Sequence, residues 1–252
     1  MPALLAVGLC AFLFADVRTA RALLEQGKTI EALKELQAAL RSAPDDPEVQ
    51  FEAGELLREI GAQRAAELER VAPESAEAHE LVGRSFESRG RLDEALAEYR
   101  MALKNHPEIT GVHLLIGNVF WRKRDFEAAR AELEAELRLN PNHPVANLRL
   151  GQVLIALNEP NAALEHLKRA VAADDSSIEA HRELGRVYRL IGDHRAALSQ
   201  FRVVAGRRPD DESVHAQIAG EYRSLGEIAQ ANAEWAVHRR LLEAKAAAAQ
   251  RK

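Results

Sequence analysis

Hydrophobic positions along most of the chain recur at helical spacing. In the stretch Thr110–His143, apolar residues fall three and four positions apart over Leu114–Trp121 and again over Phe126–Leu139, which predicts two amphipathic helices. A polar break at Arg124-Asp125 separates the two runs, and Pro141 follows the second. This pattern indicates a helix-turn-helix hairpin. A hairpin of this size cannot bury its own apolar face, so the pattern also predicts neighbouring hairpins.

The hairpin pattern recurs with a period of 34 residues. A small residue marks one position of each predicted first helix: Gly54, Gly83, Gly117, Gly151, Gly185 and Ala219. The predicted turn follows seven positions later, where glycine or asparagine permits the left-handed backbone that stops a helix. The turn residues are Gly61, Gly90, Arg124, Asn158, Gly192 and Gly226. Arginine adopts this backbone less easily than glycine, so we expect a stiffer corner at Arg124.

Alanine stands five positions beyond each turn, where only a small side chain lets two helices approach closely. These alanines are Ala32, Ala66, Ala95, Ala129, Ala163, Ala197 and Ala231. Large residues fill the predicted core: Phe86, Phe120, Leu154, Tyr188 and Tyr222 on first helices, and Leu36, Tyr99, Leu133, Leu167, Phe201 and Trp235 on second helices. Prolines end several units by denying the second helix its next hydrogen bond: Pro44, Pro73, Pro107, Pro141 and Pro209.

This combination of period, small residues, aromatic slots and terminal prolines resembles the tetratricopeptide repeat family. The resemblance implies an all-α, right-handed superhelical solenoid of about seven hairpins over residues 16–242. It also implies a concave face, lined by first helices, that receives a peptide or a partner's helix. The predicted units are 13–46, 47–75, 76–109, 110–143, 144–177, 178–211 and 212–242, followed by a basic, Ala-rich end of the capping helix at 243–252. Unit 47–75 is five residues short, which predicts irregular stacking there.

The N-terminal residues 1–15 form an apolar run that ends in Ala15. The run predicts a signal peptide cleaved after Ala15, and hence a secreted or periplasmic protein of bacterial type. An uncleaved membrane anchor and an N-terminal helix packed on the solenoid are alternatives; only a retained segment would bring membrane association. Cys10 raises the alternative of a lipoprotein, although Leu9 stands where that motif needs a small residue.

Composition narrows the function classes. The chain has 34 basic and 39 acidic residues and a net charge of −5, without the basic excess typical of nucleic-acid binding. A single cysteine allows neither a disulfide framework nor a thiolate metal site. No nucleophile elbow, phosphate-binding loop or zinc-protease motif occurs. We therefore predict a non-enzymatic protein without cofactor or small-molecule substrate.

Histidines and glutamates are the remaining candidates for metal or acid–base chemistry. Four histidines share one repeat position, on helices that should pack about 8–10 Å apart, whereas zinc ligands must lie within about 2.1 Å of the metal. These histidines, His79, His113, His181 and His215, are predicted to fill the core. The glutamates of the second helix in unit 110–143, Glu132, Glu134 and Glu136, are predicted to face solvent. A metal-dependent enzyme is a remote alternative.

The contact positions of the family divide the predicted concave face into acidic, apolar and basic zones. The acidic zone holds Glu48, Glu55, Glu59, Glu77, Glu80 and Glu87, and the apolar zone holds Leu114, Val145, Leu148 and Ile155 around polar residues. The predicted partner-binding residues are Arg84, Asn118, Trp121, Arg122, Gln152, Arg182, Arg186, Arg189 and Arg223. Of these, Arg84, Asn118, Gln152 and Arg186 form one row of N–H donors at a shared repeat position.

In this hypothesis the donor row bonds the carbonyls of an extended peptide, Trp121 anchors an apolar side chain and the C-terminal arginines hold carboxylates. The alternative for the arginines is simple pairing with glutamates on exposed helix faces. The predicted function is a non-catalytic scaffold that binds a protein or peptide ligand. A structural component of an envelope complex, or a self-assembling solenoid, is the alternative.

Overall fold

The computed structural model describes residues 17–43 and 46–249, and this part of the chain forms helices without β-strands. In chain order the helices are α1 (17–25), α2 (Thr29–Ser42), α3 (Pro47–Val71), α4 (Ala76–Ser88), α5 (Leu92–Asn105), α6 (Val112–Arg122), α7 (Phe126–Leu139), α8 (Pro144–Ala156), α9 (Pro160–Ala173), α10 (Ile178–Leu190), α11 (His194–Arg207), α12 (Glu212–Ser224) and α13 (Ile228–Ala249). The predicted all-α helical repeat is confirmed. The predicted leader, residues 1–15, and Pro44 lie outside the described residues. Across the described ranges, no helix is both long enough and apolar enough to span a membrane.

Six hairpins follow the predicted pattern in this part of the chain: α1–α2, α4–α5, α6–α7, α8–α9, α10–α11 and α12–α13. A residue with left-handed backbone closes the first helix of each one. Glycine takes this position in four hairpins, while Arg124 (φ 62°) and Asn158 (φ 63°) take it in two. A non-glycine residue pays a steric cost there. Arg124 thus takes the left-handed turn position that the sequence predicts, and the stiffness of this corner stays a prediction.

The unit 47–75 differs from the prediction, because α3 is one unbroken helix of 25 residues. Gly61 lies inside this helix and does not end it. Residues 62–70 are Ala, Gln, Arg, Glu and Leu, strong helix formers that outweigh the cost of one internal glycine, about 1 kcal/mol. The five missing residues also leave no length for a turn and a full second helix. This unit is therefore a single long helix and not a hairpin.

The chain divides into two compact units between Leu81 and Val82. In the first unit, buried apolar side chains of α1, α2 and α3 form one core, which includes Leu24, Leu36 and Leu56. The α3 helix begins at a strong cap, since Asp46 Oδ1 accepts hydrogen bonds from two backbone N–H groups of its first turn. The cap satisfies N–H groups at the start of α3, and the shared core packs α3 against α1 and α2.

In the second unit, hairpins stack in chain order and bury the repeated positions. Each second helix from α7 onward, other than the last, packs against the first helix of the next hairpin. Most of the small and large slots form the predicted core; its fully buried members include Ala95, Tyr99, Ala129, Leu133, Ala163, Leu167, Ala197 and Phe201. The prediction is wrong for Trp235, which is 39% exposed. The first helices α6, α8 and α10 are also neighbours, so their exposed side chains share one surface.

Hydrogen-bonded polar pairs join the two helices of a hairpin, a feature that the sequence analysis missed. In each pair a first-helix residue bonds a second-helix residue 19 positions later. The pairs are His113–Glu132 (2.7 Å), Asn147–His166 (3.0 Å), His181–Gln200 (2.8 Å) and His215–Glu234 (2.7 Å). The histidines therefore hold polar contacts between helices, where the prediction made them simple core fillers. The recurring 19-residue spacing was the available signal.

Two glutamates of α7, Glu132 and Glu136, differ from the prediction of a solvated face, whereas the Glu134 side chain is 45% exposed, as predicted. Glu136 is fully buried, and both of its carboxylate oxygens accept a hydrogen bond from the Gly111 N–H at 2.9 Å. Glu132 is hydrogen-bonded to His113, and Glu134 pairs with Arg130 at 2.8 Å. Alternation with apolar residues did not show which glutamate turns toward a neighbouring loop, because that depends on where the Gly111 N–H lies.

Candidate functional site

The first-helix face of the second unit, defined here by Asn118, Trp121, Gln152, Arg186 and Arg223, carries most of the predicted binding residues. Within this face α6, α8 and α10 lie side by side. Each helix contributes residues from equivalent repeat positions, so the side chains point the same way. The face is therefore a continuous surface built on rigid elements and not on loops.

Arg149 of α8 is the central polar residue of this face, and the sequence analysis missed it. Its Nε donates to Asn118 Oδ1 at 2.9 Å, and its Nη1 donates to Gln152 Oε1 at 2.8 Å. Gln152 Nε2 in turn donates to Glu179 Oε1 at 2.8 Å. The chain of bonds links α6, α8 and α10. Leu115 occupies the same repeat position in the preceding hairpin, so the change from leucine to arginine was the available signal.

Only some side chains of the donor row have N–H groups that are available to a ligand. Gln152 uses its N–H group on Glu179, whereas Asn118 uses only its oxygen, on Arg149. Arg186 is half-exposed and makes one long contact, 3.4 Å to Glu183 of its own helix. Arg84 is exposed at the N-terminal end of the row. A ligand along this row would find donors on Asn118 and Arg186 without breaking the links between helices.

Trp121 is half-buried and not a fully exposed anchor. Its ring lies 5.2 Å from the Phe126 ring, and it packs against the apolar core of α7, α8 and α9. The Arg149 guanidinium lies 5.7 Å from the indole centroid, within the range of a cation–π contact. Trp121 thus packs against the Arg149 guanidinium, and its side chain stays partly exposed.

Arg122 and Glu87 join the ends of α6 and α4. Arg122 Nη1 donates to the Glu87 carbonyl at 3.2 Å and to its Oε1 at 3.3 Å, and Tyr99 donates its hydroxyl to Glu87 Oε2 at 2.9 Å. Both oxygens of Glu87 are therefore occupied. The rest of the predicted acidic zone belongs to the first unit, where Arg21 pairs with Glu52 and Glu59.

Arg182 and Arg189 are held by neighbouring acids. Arg182 Nη2 pairs with Asp211 Oδ2 at 2.6 Å, and its Nη1 donates to Ser213 Oγ at 3.2 Å. Arg189 lies 3.8 Å from the fully buried carboxylate of Glu221. Arg223, by contrast, is exposed and pairs with no acid in residues 17–43 and 46–249. Of Arg182, Arg186, Arg189 and Arg223, the two most available to an anion are thus Arg186 and Arg223.

Asp211 combines the arginine contact with a helix cap. Its Oδ1 accepts a hydrogen bond from the Ser213 N–H at 3.0 Å, which caps α12. Burial alone would raise the pKa of Asp211, but hydrogen bonds from Ser213 and Arg182 outweigh burial and lower the pKa to about 2. Arg182 therefore stabilises the junction between α10 and α12.

Replacing Asp211 by asparagine should lower the free energy of unfolding at neutral pH by about 1 kcal/mol, because the charged contact is lost. A carboxylate with a lowered pKa stabilises the fold above its unfolded pKa, about 3.9, and loses that contribution as the pH falls toward its folded pKa. The gap between wild type and variant should therefore close between about pH 4 and pH 2. Urea unfolding at a series of pH values measures the gap. Asp193→Asn, which removes another cap aspartate, is the control and should cost less at neutral pH.

The described part of the chain contains no candidate metal site. Across residues 17–43 and 46–249, no three His, Cys, Asp or Glu side chains are grouped so that they could hold a metal ion. The polar groups of the first-helix face are amides and guanidinium groups, which bind carbonyls and carboxylates. Recognition of another molecule is the chemistry that this arrangement supports.

Comparison with known proteins agrees with the repeat geometry. The crystal structure of the MamA protein is 23% identical with a TM-score of 0.64, covering 68% of this chain and 93% of that one. The crystal structure of YrrB, described as a TPR protein with an unusual peptide-binding site, is 24% identical with a TM-score of 0.64, covering 70% and 91%. MamA from Desulfovibrio magneticus RS-1, from residue 41 to its end, is 20% identical with a TM-score of 0.64, covering 67% and 96%.

At these identities the solved structures show the fold alone. No curated protein matches the chain in a sequence search. The sequence profile of the tetratricopeptide repeat matches residues 17–67, 59–108, 114–178 and 148–212, which together span more than half of the chain. The chain therefore belongs to the tetratricopeptide repeat family.

Proposed function

We propose that this protein is a scaffold that binds an extended segment of a partner protein along its first-helix face, with an acidic end of that segment at Arg186 and Arg223. The observation that carries the proposal is the pair of available guanidinium groups on neighbouring first helices. Arg186 has one weak contact, and Arg223 has no acidic partner in the described ranges. Guanidinium groups bind carboxylates with two parallel hydrogen bonds.

Space beside these arginines supports the same proposal. Gly220 of α12 occupies the repeat position of Arg186, and a Cβ added at Gly220 would meet no atom within 4 Å. The surface is therefore open where the row of longer side chains ends. A ligand backbone can approach the helix closely at such a position.

Apolar residues on α6 and α8 fit the middle of a ligand. Leu114, Leu148 and Ile155 are half-buried, and Val145 is exposed. Asn118 lies one turn from Leu114 on the same face of α6, and its amide N–H group can donate to a ligand carbonyl. An apolar segment followed by acidic residues therefore matches the face from α6 to α12.

The family supports the general class of partner. Tetratricopeptide repeat proteins bind protein or peptide partners and are generally non-catalytic. YrrB, which shares the fold, is described as having a peptide-binding site. Neither comparison identifies the ligand of this chain, so the proposal rests on the arginines.

Selection from a random peptide library with the whole protein tests the proposal. The enriched peptides should carry acidic residues next to apolar ones. Their dissociation constants, measured by fluorescence anisotropy, should rise about tenfold or more with Arg186→Glu and Arg223→Glu together, because each reversal replaces an attraction by a repulsion.

The matched control reverses two exposed arginines that lie off the first-helix face, Arg195 and Arg208 of the α11 segment. This control changes the net charge equally and should leave binding unchanged. Equal weakening in both double variants would indicate a general charge effect. Enrichment of peptides without acidic residues would contradict the proposed polarity of the ligand.

A further inference from the structure

Phe51 on α3 is the most exposed aromatic side chain in residues 17–43 and 46–249. It is 63% exposed, whereas Trp235, the next in order, is 39% exposed and has the His238 ring 5.3 Å from its own. No aromatic ring contacts Phe51 within the same ranges. An exposed phenyl ring offers a large apolar area to a partner, and aromatic side chains are enriched at protein–protein interfaces.

The position of Phe51 in the repeat supports a binding role. Phe51 occupies the position of Leu114 on α6 and Leu148 on α8, which are half-buried. The α3 helix thus presents its ring where the regular first helices present apolar side chains. The helix surface beside the ring is open, because a Cβ added at Gly54 would meet no atom within 4 Å. A ligand can therefore approach this part of α3 closely.

Two carboxylates flank the ring. Glu48 precedes Phe51 by three residues and Glu55 follows it by four, so all three side chains lie on one face of α3. Glu48 is exposed, and no basic side chain in the described ranges pairs with it. Glu55 pairs with Arg58 of the same helix, whose side chain is 70% exposed. An exposed pair of this kind contributes little free energy, so a cationic ligand can replace Arg58.

Other aromatic rings of this chain show which group fits beside such a ring. Several have an arginine guanidinium near the ring centroid: Phe86 has Arg91 at 4.5 Å, Tyr222 has Arg202 at 5.4 Å, Phe126 has Arg124 at 5.7 Å, Trp121 has Arg149 at 5.7 Å and Phe201 has Arg189 at 5.8 Å. Arg91 also pairs with Glu94 at 2.8 Å, which completes an arrangement of ring, guanidinium and carboxylate. Phe51 has the carboxylates beside it, and no arginine or lysine of residues 17–43 and 46–249 lies over its ring.

We propose that Phe51, Glu48 and Glu55 bind an arginine side chain of a partner protein, with its guanidinium over the ring and its N–H groups on the carboxylates. Arginine fits better than lysine, because its planar guanidinium stacks on a ring and forms paired hydrogen bonds with a carboxylate. Residues 1–16 contain neither lysine nor arginine, so that segment of the chain cannot supply the cation. The proposal concerns the first unit and is independent of the first-helix face.

Peptide selection on the whole protein with Arg186→Gln and Arg223→Gln tests the proposal, because this parent variant lacks the basic pair of the first-helix face. Peptides enriched from a random library should carry an arginine next to apolar residues. Citrulline in place of that arginine keeps the shape of the side chain and removes its charge. The dissociation constant, measured by fluorescence anisotropy, should then rise about tenfold or more. Lysine in its place should raise the constant about threefold.

Phe51→Ala should raise the dissociation constant of an enriched peptide about fivefold or more, because the contact between ring and cation is lost. Phe51→Leu should raise it about threefold, since leucine keeps part of the apolar area but has no aromatic ring. Glu48→Gln with Glu55→Gln should raise it about fivefold at low salt and less at high salt, because salt screens exposed charges. Circular dichroism checks that each variant keeps its helices.

The matched control is Glu25→Gln with Glu31→Gln, which changes two exposed glutamates of α1 and α2. This control alters the net charge by the same amount and should bind the peptide like the parent variant. Val71→Ala removes another exposed apolar side chain, at the far end of α3, and should also leave binding unchanged.

Selection without enrichment, or enrichment of peptides that lack arginine, would overturn the proposal. Unchanged binding by Phe51→Ala would overturn it as well. Equal weakening by the two pairs of glutamine substitutions would indicate a general attraction between charges and not a site at Phe51. Tighter peptide binding after Arg251→Gln with Lys252→Gln would assign the site to the C-terminal residues of this chain and overturn the proposed partner.

Discussion

Replacing Gly151 by leucine is expected to lower the free energy of unfolding by about 3 kcal/mol, at the upper end of the cost of overpacking a core. A Cβ added at Gly151 would lie 2.5 Å from Leu167 Cγ, closer than van der Waals contact allows. Leu167 is fully buried and cannot move into solvent. The helices α8 and α9 would have to separate. Urea unfolding followed by far-UV circular dichroism measures the loss.

Gly220→Ala is the matched control for this experiment. Gly220 also lies inside a first helix, but a Cβ there would meet no atom within 4 Å. Alanine should therefore raise the free energy of unfolding by about 1 kcal/mol through helix propensity alone. If Gly151→Leu unfolded at the urea concentration of the wild type, the close approach of α8 and α9 would be wrong.

Phe201→Ala should cost about 3–5 kcal/mol, because it leaves a cavity where a fully buried ring was. Phe201 packs between its own first helix, at Gly185, and the next one, at Val214 and Ile218. In a repeat protein each hairpin contacts mainly its neighbours. The loss should therefore loosen α12 and α13 first, and amide hydrogen exchange should speed up there before it does in α6–α9.

Trp235→Ala tests whether burial or side-chain size decides this cost. Trp235 occupies the repeat position of Phe201 on the last helix and is 39% exposed, whereas Phe201 is fully buried. No further hairpin covers Trp235 within the described residues, so its replacement should cost about 1–2 kcal/mol. Equal costs for the two variants would mean that the contact with the following first helix contributes little.

Some residues of the candidate site follow from the repeat, and others do not. The period places Asn118, Gln152 and Arg186 on one surface, because equivalent residues of stacked hairpins face the same way. The period does not show that Arg182 is taken up by Asp211 or that Arg149 bridges Asn118 and Gln152. The partners of a long side chain depend on the distances between neighbouring helices, and packing sets these distances.

The sequence by itself determined the helical repeat, all turn positions but the one at Gly61, and most of the small and large residues of the core. These features depend on local helix propensity and on a spacing that many successive units share. The pattern in each unit therefore supports the assignment of helices and turns in the others. Only the tertiary structure decided that α3 continues through Gly61, that hydrogen-bonded polar pairs join the helices of a hairpin, and which arginines remain available. The course of α3 depends on competition between the weak helix-stopping signal of Gly61 and the strong helix formers after it. The pairs and the available arginines depend on contacts between residues that are distant in sequence, which a repeat period cannot predict.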